Sequence, residues 1–239
     1  MKKIFLILVV ILIICCLGSV CVLAYFGFVP GLSSVFMKQK DLGVEPDDKY
    51  AEAVYTRIGF ENTFYKDPNP KDGEIVYSGQ IEIDDSLSSV EITSLMNTWE
   101  KWESTPFENA QARINDDGSV EFSAMVDVNK LEEFAKELGY TDDEISEGKS
   151  YLKVLNNKMP VYAKGEASME NNEASIDLTD GKIGNFPVPG SLLSKIAPIL
   201  EEAIQKRFDQ VPNTDIESVK FEDGKMKIKG DIPQKVEIE

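Results

Sequence analysis

An uncharged stretch near the start of the chain limits what this protein can fold into more than any other feature. Ile4–Phe28 contains no charged residue, whereas Lys2 and Lys3 precede it and every Asp and Glu follows it. As a helix, these roughly 25 residues would be about 37 Å long, enough to cross a hydrocarbon core of about 30 Å. A single helix also satisfies its own backbone in lipid. The sequence therefore predicts a transmembrane anchor over residues 1–29, which contacts the lipid bilayer through residues 4–28.

The flanking residues predict how the anchor is oriented. Lys2 and Lys3 favour a cytoplasmic N-terminus, and Tyr25 and Phe26 suit the opposite interface. We therefore expect a single-pass protein of the cell membrane, with residues 30–239 on the extracytoplasmic side. The alternative is a cleaved secretory signal, for which Val22–Ala24 offers a weak small-residue cleavage site. Both interpretations place the domain outside the cytoplasm.

Charge and composition exclude several classes of function. The chain has 42 Asp and Glu against 25 Lys and Arg, a formal net charge of −17. Such a domain is repelled by phosphate backbones, so we predict no nucleic-acid partner. The chain has no His, and its three Cys all lie in the uncharged stretch. Nucleophilic catalysis by Ser-His or Cys-His pairs is therefore excluded in the domain.

No motif in the domain points to a cofactor, a metal or a catalytic centre. The acidic turns lack the Asp-x-Asp-x-Asp-Gly spacing of a calcium loop, and no phosphate-binding loop is present. A hydrolase that uses paired carboxylates stays as the weakest alternative. Its candidates give no basis for choosing between them: Asp84, Asp85, Glu121, Asp177 and Asp180. We therefore predict a protein without cofactor, metal or catalytic residues.

Hydrophobic periodicity divides the remaining chain into a linker with a short helix, residues 30–73, and an α+β domain, residues 74–239. The linker helix is predicted over Tyr50–Ile58, with Asp47 or Asp48 as its cap. Alternating strands are predicted at Ile75–Ile83, 110–114, 120–126, 161–169, 174–178, 219–221 and 226–232. Helices are predicted at 90–102, Val128–Leu138, Asp142–Leu155 and 190–208. Turns are predicted at Asp84–Ser86 and Thr179–Gly181, and Thr141 and Glu144 form a capping box.

The helix at 190–208 has the clearest apolar stripe, although Pro198 lies inside it. Alternating antiparallel strands have one apolar face. We therefore expect amphipathic helices packed on a curved antiparallel sheet of hairpins.

An Asp-Gly turn recurs between alternating strands. Asp117-Gly118 and Asp223-Gly224 each follow an amphipathic helix and sit in a hairpin pattern. This recurrence suggests two related helix–hairpin halves. The alternative is that Asp-Gly is simply the common hairpin turn.

Three segments resemble a group of bacterial exported proteins. They are the strand-then-helix start at Gly79–Ile83 and Glu91–Asn97, the hairpin Ala112–Ser123, and the run Phe186–Gly190 before a long helix. Together they resemble the membrane-anchored YpmS-like and LmeA-like proteins, whose domains are compared with tubular lipid-binding folds. The resemblance implies a non-enzymatic domain that binds an apolar chain between helix and sheet.

Two functions therefore compete. The first is binding of a lipid or another apolar ligand in the cell envelope, in a pocket lined by Trp99, Trp102, Phe186 and Phe208. The second is a structural or protein-interaction domain with a solid core, whose acidic surface meets an envelope protein partner. The two differ in whether the space between helix 190–208 and the sheet is hollow or filled.

Overall fold

The computed structural model describes residues 37–62, 75–99, 104–146 and 158–238 of the chain. Over these residues the fold is α+β, with a curved, mostly antiparallel sheet and few helices, as the sequence predicts. The predicted transmembrane segment, residues 4–28, lies outside the described residues. No helix within the described ranges is both long enough and apolar enough to span a membrane.

The described residues form strands and helices that mostly match the predicted periodicity. In chain order the strands are β1 (Glu61–Asn62), β2 (Ile75–Ser78), β3 (Ile81–Ser88), β4 (Phe107–Ile114), β5 (Val120–Asp127), β6 (Lys158–Glu170), β7 (Glu173–Ile183), β8 (Phe186–Pro187), β9 (Asp215–Glu222), β10 (Lys225–Ile232) and β11 (Lys235–Ile238). The helices are α1 (Asp48–Ile58), α2 (Ser89–Thr98), α3 (Leu131–Glu137) and α4 (Gly190–Asp209).

The strands form a large sheet and a small one. The large sheet has the order β3-β10-β9-β6-β5-β4, and β7 pairs with β6 and with β8. The small sheet has the order β1-β11-β2, in which β1 and β11 are parallel. The long strand β6 pairs with β5 along Lys158–Gly165 and with β9 at Met169–Glu170. It therefore joins the two halves of the large sheet.

Helix α2 packs on β4, α1 packs on α2, and α4 packs on β7. Between α1 and α2 the core is filled: Ala51, Val54, Thr93 and Thr98 are each at most 1% exposed. The Tyr55 hydroxyl lies 2.9 Å from Thr98 Oγ1 in the same layer.

Two helix starts predicted from capping residues are confirmed. Asp47 caps α1 by accepting a hydrogen bond from the Lys49 N–H at 3.0 Å. In the capping box, the Thr141 N–H donates to Glu144 at 2.7 Å, and the Glu144 N–H donates to Thr141 Oγ1 at 3.4 Å. Residues 142–146 are helical, and the rest of the predicted Asp142–Leu155 helix lies outside the described residues.

The prediction of one strand over Ile75–Ile83, ended by a turn at Asp84–Ser86, is wrong. The strand breaks at Gly79, whose φ of +70° is left-handed, and the segment before the break joins the small sheet. After the break, β3 continues to Ser88 because β10 pairs with it along its whole length. Asp84 lies opposite Lys229 across the strands, whereas Asp85 lies opposite Ile228 and pairs with Arg57 of α1.

The prediction of a turn at Thr179–Gly181 is also wrong. Strand β7 runs through these residues to Ile183, and its pairing with β6 shifts register between Lys164 and Gly165. The extra residue is accommodated as a bulge, so the polar residues continue the strand instead of ending it.

The two predicted Asp-Gly hairpins are present, and their tips meet. Gly118 ends one turn at φ +83°, and a Cβ on it would lie 2.7 Å from the Phe221 carbonyl oxygen of the other hairpin. A Cβ on Gly224 would lie 3.3 Å from Asp116 Oδ1. The positive φ of both glycines suits the tight turn, and the close approach adds a second reason for glycine at 118.

Residues 37–43, which we call the strap, lie across β4, β5 and β6. The Gln39 side-chain amide donates to the Asn109 carbonyl at 2.7 Å, and the Leu42 N–H donates to Gln111 Oε1 at 2.7 Å. Met37 Sδ lies against Gly184 at the end of β7. Part of the segment that the sequence assigns to a linker therefore packs on the domain.

Candidate functional site

A cavity of about 710 Å³ lies between α4 and the large sheet. Side chains from α2, α3 and α4 and from strands β2 and β4–β7 border it. Its walls are mainly apolar, and they include Phe107, Phe122, Phe134, Ile176, Leu178 and Ile204. The residues that the structure describes therefore leave the space between helix 190–208 and the sheet hollow at this point.

Small residues on β6 leave the space open. Ala163, Gly165 and Ala167 follow one another at every second position, so they share one face of the strand, and all three line the cavity. None has a side chain larger than a methyl group. At position 165 the fold requires glycine for a separate reason, because a Cβ there would lie 2.2 Å from the Asp177 carbonyl oxygen on β7.

Helix α4 packs on the sheet near its start and covers the cavity further along the same face. Leu200, Ala203, Ile204 and Arg207 line the cavity at the three- and four-residue spacing of one helix face. Leu193, 5% exposed, packs on Gly181 of β7. Leu200 is 39% exposed although it lines the cavity, so the cavity reaches solvent there. Pro198 lies within the helix, which continues to Asp209.

Three phenylalanines form one cavity wall. The ring of Phe107 meets Phe122 and Phe134 edge to face, with centroids 5.9 Å apart in both pairs. Such edge-to-face pairs pack well without filling the adjacent space. The sequence predicts Phe122 on the apolar face of a strand and Phe134 on the apolar face of a helix. No pattern in the sequence shows that these two faces meet.

The structure separates the four residues proposed from the sequence as pocket lining. Trp99 lines the cavity. Phe186 lies on the edge strand β8 and is 50% exposed, and Phe208 follows Arg207 on α4, about 100° further round the helix. Neither is among the described residues that border the cavity. Trp102 lies outside the described residues.

One end of the cavity is polar. Arg207 Nη2 donates to the Tyr77 hydroxyl at 3.1 Å, and its Nη1 donates to Gln210 Oε1 at 3.4 Å. Gln210 Nε2 donates in turn to the Glu137 carbonyl at 2.8 Å, and Glu137 Oε2 accepts from Ser104 at 2.6 Å. Burial raises the pKa of Tyr77, while the charge of Arg207 lowers it by less, so the phenol is neutral at pH 7.

A buried carboxylate lies on the opposite face of β5. Glu121, only 4% exposed, is held by Lys40 of the strap at 2.7 Å, by the Tyr162 hydroxyl at 2.8 Å and by the Arg113 guanidinium. We call these four residues the Glu121 cluster. Burial alone would raise the pKa of Glu121, but the hydrogen bonds from Lys40, Arg113 and Tyr162 outweigh it and lower this pKa from 4.5 to about 2.

The Glu121 cluster does not have the properties of a hydrolytic carboxylate pair. A general acid needs a pKa near the working pH, and that of Glu121 is shifted in the opposite direction. Of the other carboxylates considered from the sequence, Asp85 pairs with Arg57 at 2.8 Å. Asp84, Asp177 and Asp180 are exposed. In the part of the chain that the structure describes, no three acidic residues are grouped as a metal site.

Comparison with known proteins does not identify a relative from which a function could be inferred. No family model matches the chain, and no curated protein or solved structure is significantly similar to it.

Proposed function

We propose that this chain is a membrane-anchored extracytoplasmic protein whose domain binds a lipid or another apolar ligand in the cavity under α4. The cavity carries this proposal. Its volume of about 710 Å³ falls within the range of about 300–1,000 Å³ that is typical of small-molecule sites. Its walls are mainly apolar with a few polar groups at one end, which is the usual composition of such sites.

The energetics of an apolar cavity also support a ligand. An empty apolar space costs stability because the side chains around it lose contacts. An acyl chain that fills the cavity restores those contacts, and each buried methylene contributes about 0.8 kcal/mol. The opening beside Leu200 offers a route by which a chain could enter.

The predicted anchor would place the cavity close to a source of lipid. Residues 29–36 separate the uncharged stretch from Met37, where the strap begins. Even fully extended, these eight residues span at most about 28 Å. Because the strap is bound to the sheet, a membrane helix at residues 4–28 would hold the domain within that distance of the bilayer.

The competing hypothesis of a solid-cored interaction domain receives less support. The chain is acidic, as this hypothesis requires, but the described residues do not fill the core between α4 and the sheet. A partner protein would give no reason for the small side chains of Ala163 and Ala167 on the face of β6 that lines the cavity.

Titration of the full chain, held in peptidiscs, with the neutral fluorophore N-phenyl-1-naphthylamine tests the proposal. The variant Ala203→Phe places a ring in the cavity from α4, so we expect at least a tenfold loss of affinity for the fluorophore. Ala53→Phe adds the same ring at an exposed position of α1 and is the matched control. Native mass spectrometry of the extracted wild-type chain should show a co-purifying lipid. Equal titrations for both variants and the wild type, with no lipid retained, would refute the proposal.

A further inference from the structure

We propose that the ligand is an amphiphile whose singly charged anionic head group binds Arg207 at the polar end of the cavity. This inference rests on the proposed function, since it names the class of ligand that the same cavity takes. It is carried by the contrast between Arg207 and the other arginines of the chain.

The chain has three arginines, and two of them pair with carboxylates. Arg57 contacts Asp85 and Glu91, both at 2.8 Å. Arg113 contacts Glu121. Arg207 instead donates to the Tyr77 hydroxyl and the Gln210 side-chain carbonyl, which are both neutral. Among the described residues, no Asp or Glu forms an ion pair with it.

A lack of acidic residues does not explain this difference, because the chain has 42 of them. Nor does the position of Arg207 in the last turn of α4, where a cation interacts favourably with the helix dipole. Lys206 occupies the same turn and pairs with Glu202 at 3.7 Å. Arg207 is half-buried, so the apolar walls of the cavity remove part of the water that would otherwise solvate its charge. A ligand anion would compensate this charge.

The geometry leaves donors for such an anion. A guanidinium has five N–H donors, and Tyr77 and Gln210 use two of those on Arg207. The two contacts also fix the side chain at the cavity end, so the remaining donors are pre-organised. A carboxylate or a phosphate oxygen matches a guanidinium in shape and charge.

Neighbouring charges favour a single negative charge on the head group. The Glu137 carboxylate borders the same cavity and is hydrogen bonded to Ser104. It would repel a doubly charged phosphate monoester more than a monoanion. Lys164 and Glu166 also border the cavity, but they alternate with Ala163, Gly165 and Ala167, so their charged side chains lie on the other face of β6. A fatty-acid carboxylate and a phosphodiester lipid share the required chemistry.

A scintillation-proximity assay on the full chain in peptidiscs tests the inference with four ligands of one chain length. Tritiated hexadecanol measures the contribution of the chain alone, and tritiated hexadecanoate adds a carboxylate. Hexadecanoyl lysophosphatidylglycerol carries a phosphodiester, and hexadecyl phosphate carries a monoester. Because hydrogen bonds to a charged group are stronger than those between neutral groups, we expect the preferred monoanion to bind at least about tenfold tighter than hexadecanol. The ratio between the carboxylate and the phosphodiester shows which source the site prefers.

The variant Arg207→Gln should reduce this preference to about twofold or less while leaving the affinity for hexadecanol unchanged. Arg207→Lys keeps the charge and should retain part of the preference. Lys206→Gln removes the same charge one residue earlier and is the matched control, which should behave like the wild type. A preference that persists in Arg207→Gln, or equal binding of hexadecanol and both monoanions by the wild type, would overturn the inference. In either case binding of hexadecanol that Ala203→Phe abolishes would leave the proposed function standing.

Discussion

The Glu121 cluster is expected to be a major source of stability, and replacing Glu121 by Gln measures its contribution. The pKa of Glu121 falls from 4.5 to about 2 in the folded chain. At 1.36 kcal/mol per pKa unit, this shift corresponds to an upper limit of about 3 kcal/mol. The side chains of Lys40 and Arg113 are 42% and 43% exposed, so solvent screens part of the interaction. We therefore expect Glu121→Gln to lower the free energy of unfolding by about 2–3 kcal/mol at pH 7.

The pH dependence of this loss follows from the sign of the shift. Because the folded state holds Glu121 ionised more strongly than the unfolded state, the stabilisation is complete above pH 4.5. It is lost progressively as the pH falls towards about 2. Gln does not titrate, so the difference between wild type and variant should shrink over this interval.

Urea unfolding of the full chain in detergent micelles, followed at several pH values between 7 and 2, measures the difference. Glu108→Gln on the neighbouring strand β4 removes a carboxylate that pairs with Lys158 at the surface and is the control. We expect it to cost at most about 1 kcal/mol. A loss of less than 0.5 kcal/mol in Glu121→Gln, which is roughly the effect of an ordinary surface change, would refute the argument. So would a loss that stays constant down to pH 2.

The packing makes two further predictions, both measured as free energies of unfolding in urea. Gly118→Ala should lose about 2 kcal/mol, since φ is +83° and the new Cβ would meet the Phe221 carbonyl. Gly190→Ala, with nothing within 4 Å, should be neutral or slightly stabilising, and equal effects would contradict the account of the hairpin tips. Ile216→Ala, at a side chain that is 1% exposed, should lose about 2–5 kcal/mol. Ile199→Ala, at 57% exposure, should change stability by about 0.5 kcal/mol or less, and a larger loss there would contradict the exposed position of that face.

Local signals in the sequence predict most of the fold. The cap at Asp47, the Asp-Gly turns and the apolar stripe of α4 each depend on residues close together in the chain, and all are present. The predicted strand ends are wrong where pairing with a segment distant in the sequence determines how far a strand continues. Strand β3 extends past Asp84 because β10 pairs with it, and β7 passes through Gly181 because β6 pairs with it across a bulge.

The cavity is harder to predict from the sequence than the strands and helices, because an empty space has no characteristic pattern of residues. The sequence identified the helix and the sheet on either side of it, and it placed Trp99 on an apolar stripe. It does not single out Arg207, which is one of several charged residues in the second half of α4. The signal that could have found it is its rarity, since the chain has only three arginines.

Strand β5 connects the strap to the cavity through the alternation of its side chains. Glu121 faces Lys40 of the strap, while Val120 and Phe122 face the cavity. A slip of one residue in the pairing of β5 would place the carboxylate in the cavity and the ring under the strap. Because Glu121 is stabilised only where Lys40, Arg113 and Tyr162 surround it, a β5 strand shifted by one residue would be less stable. Buried polar groups have this effect on strand or helix register in some other folds. If this holds, Glu121→Gln should bind N-phenyl-1-naphthylamine more weakly than Glu108→Gln does under conditions where both are folded. Equal affinities would mean that the apolar face alone sets the register.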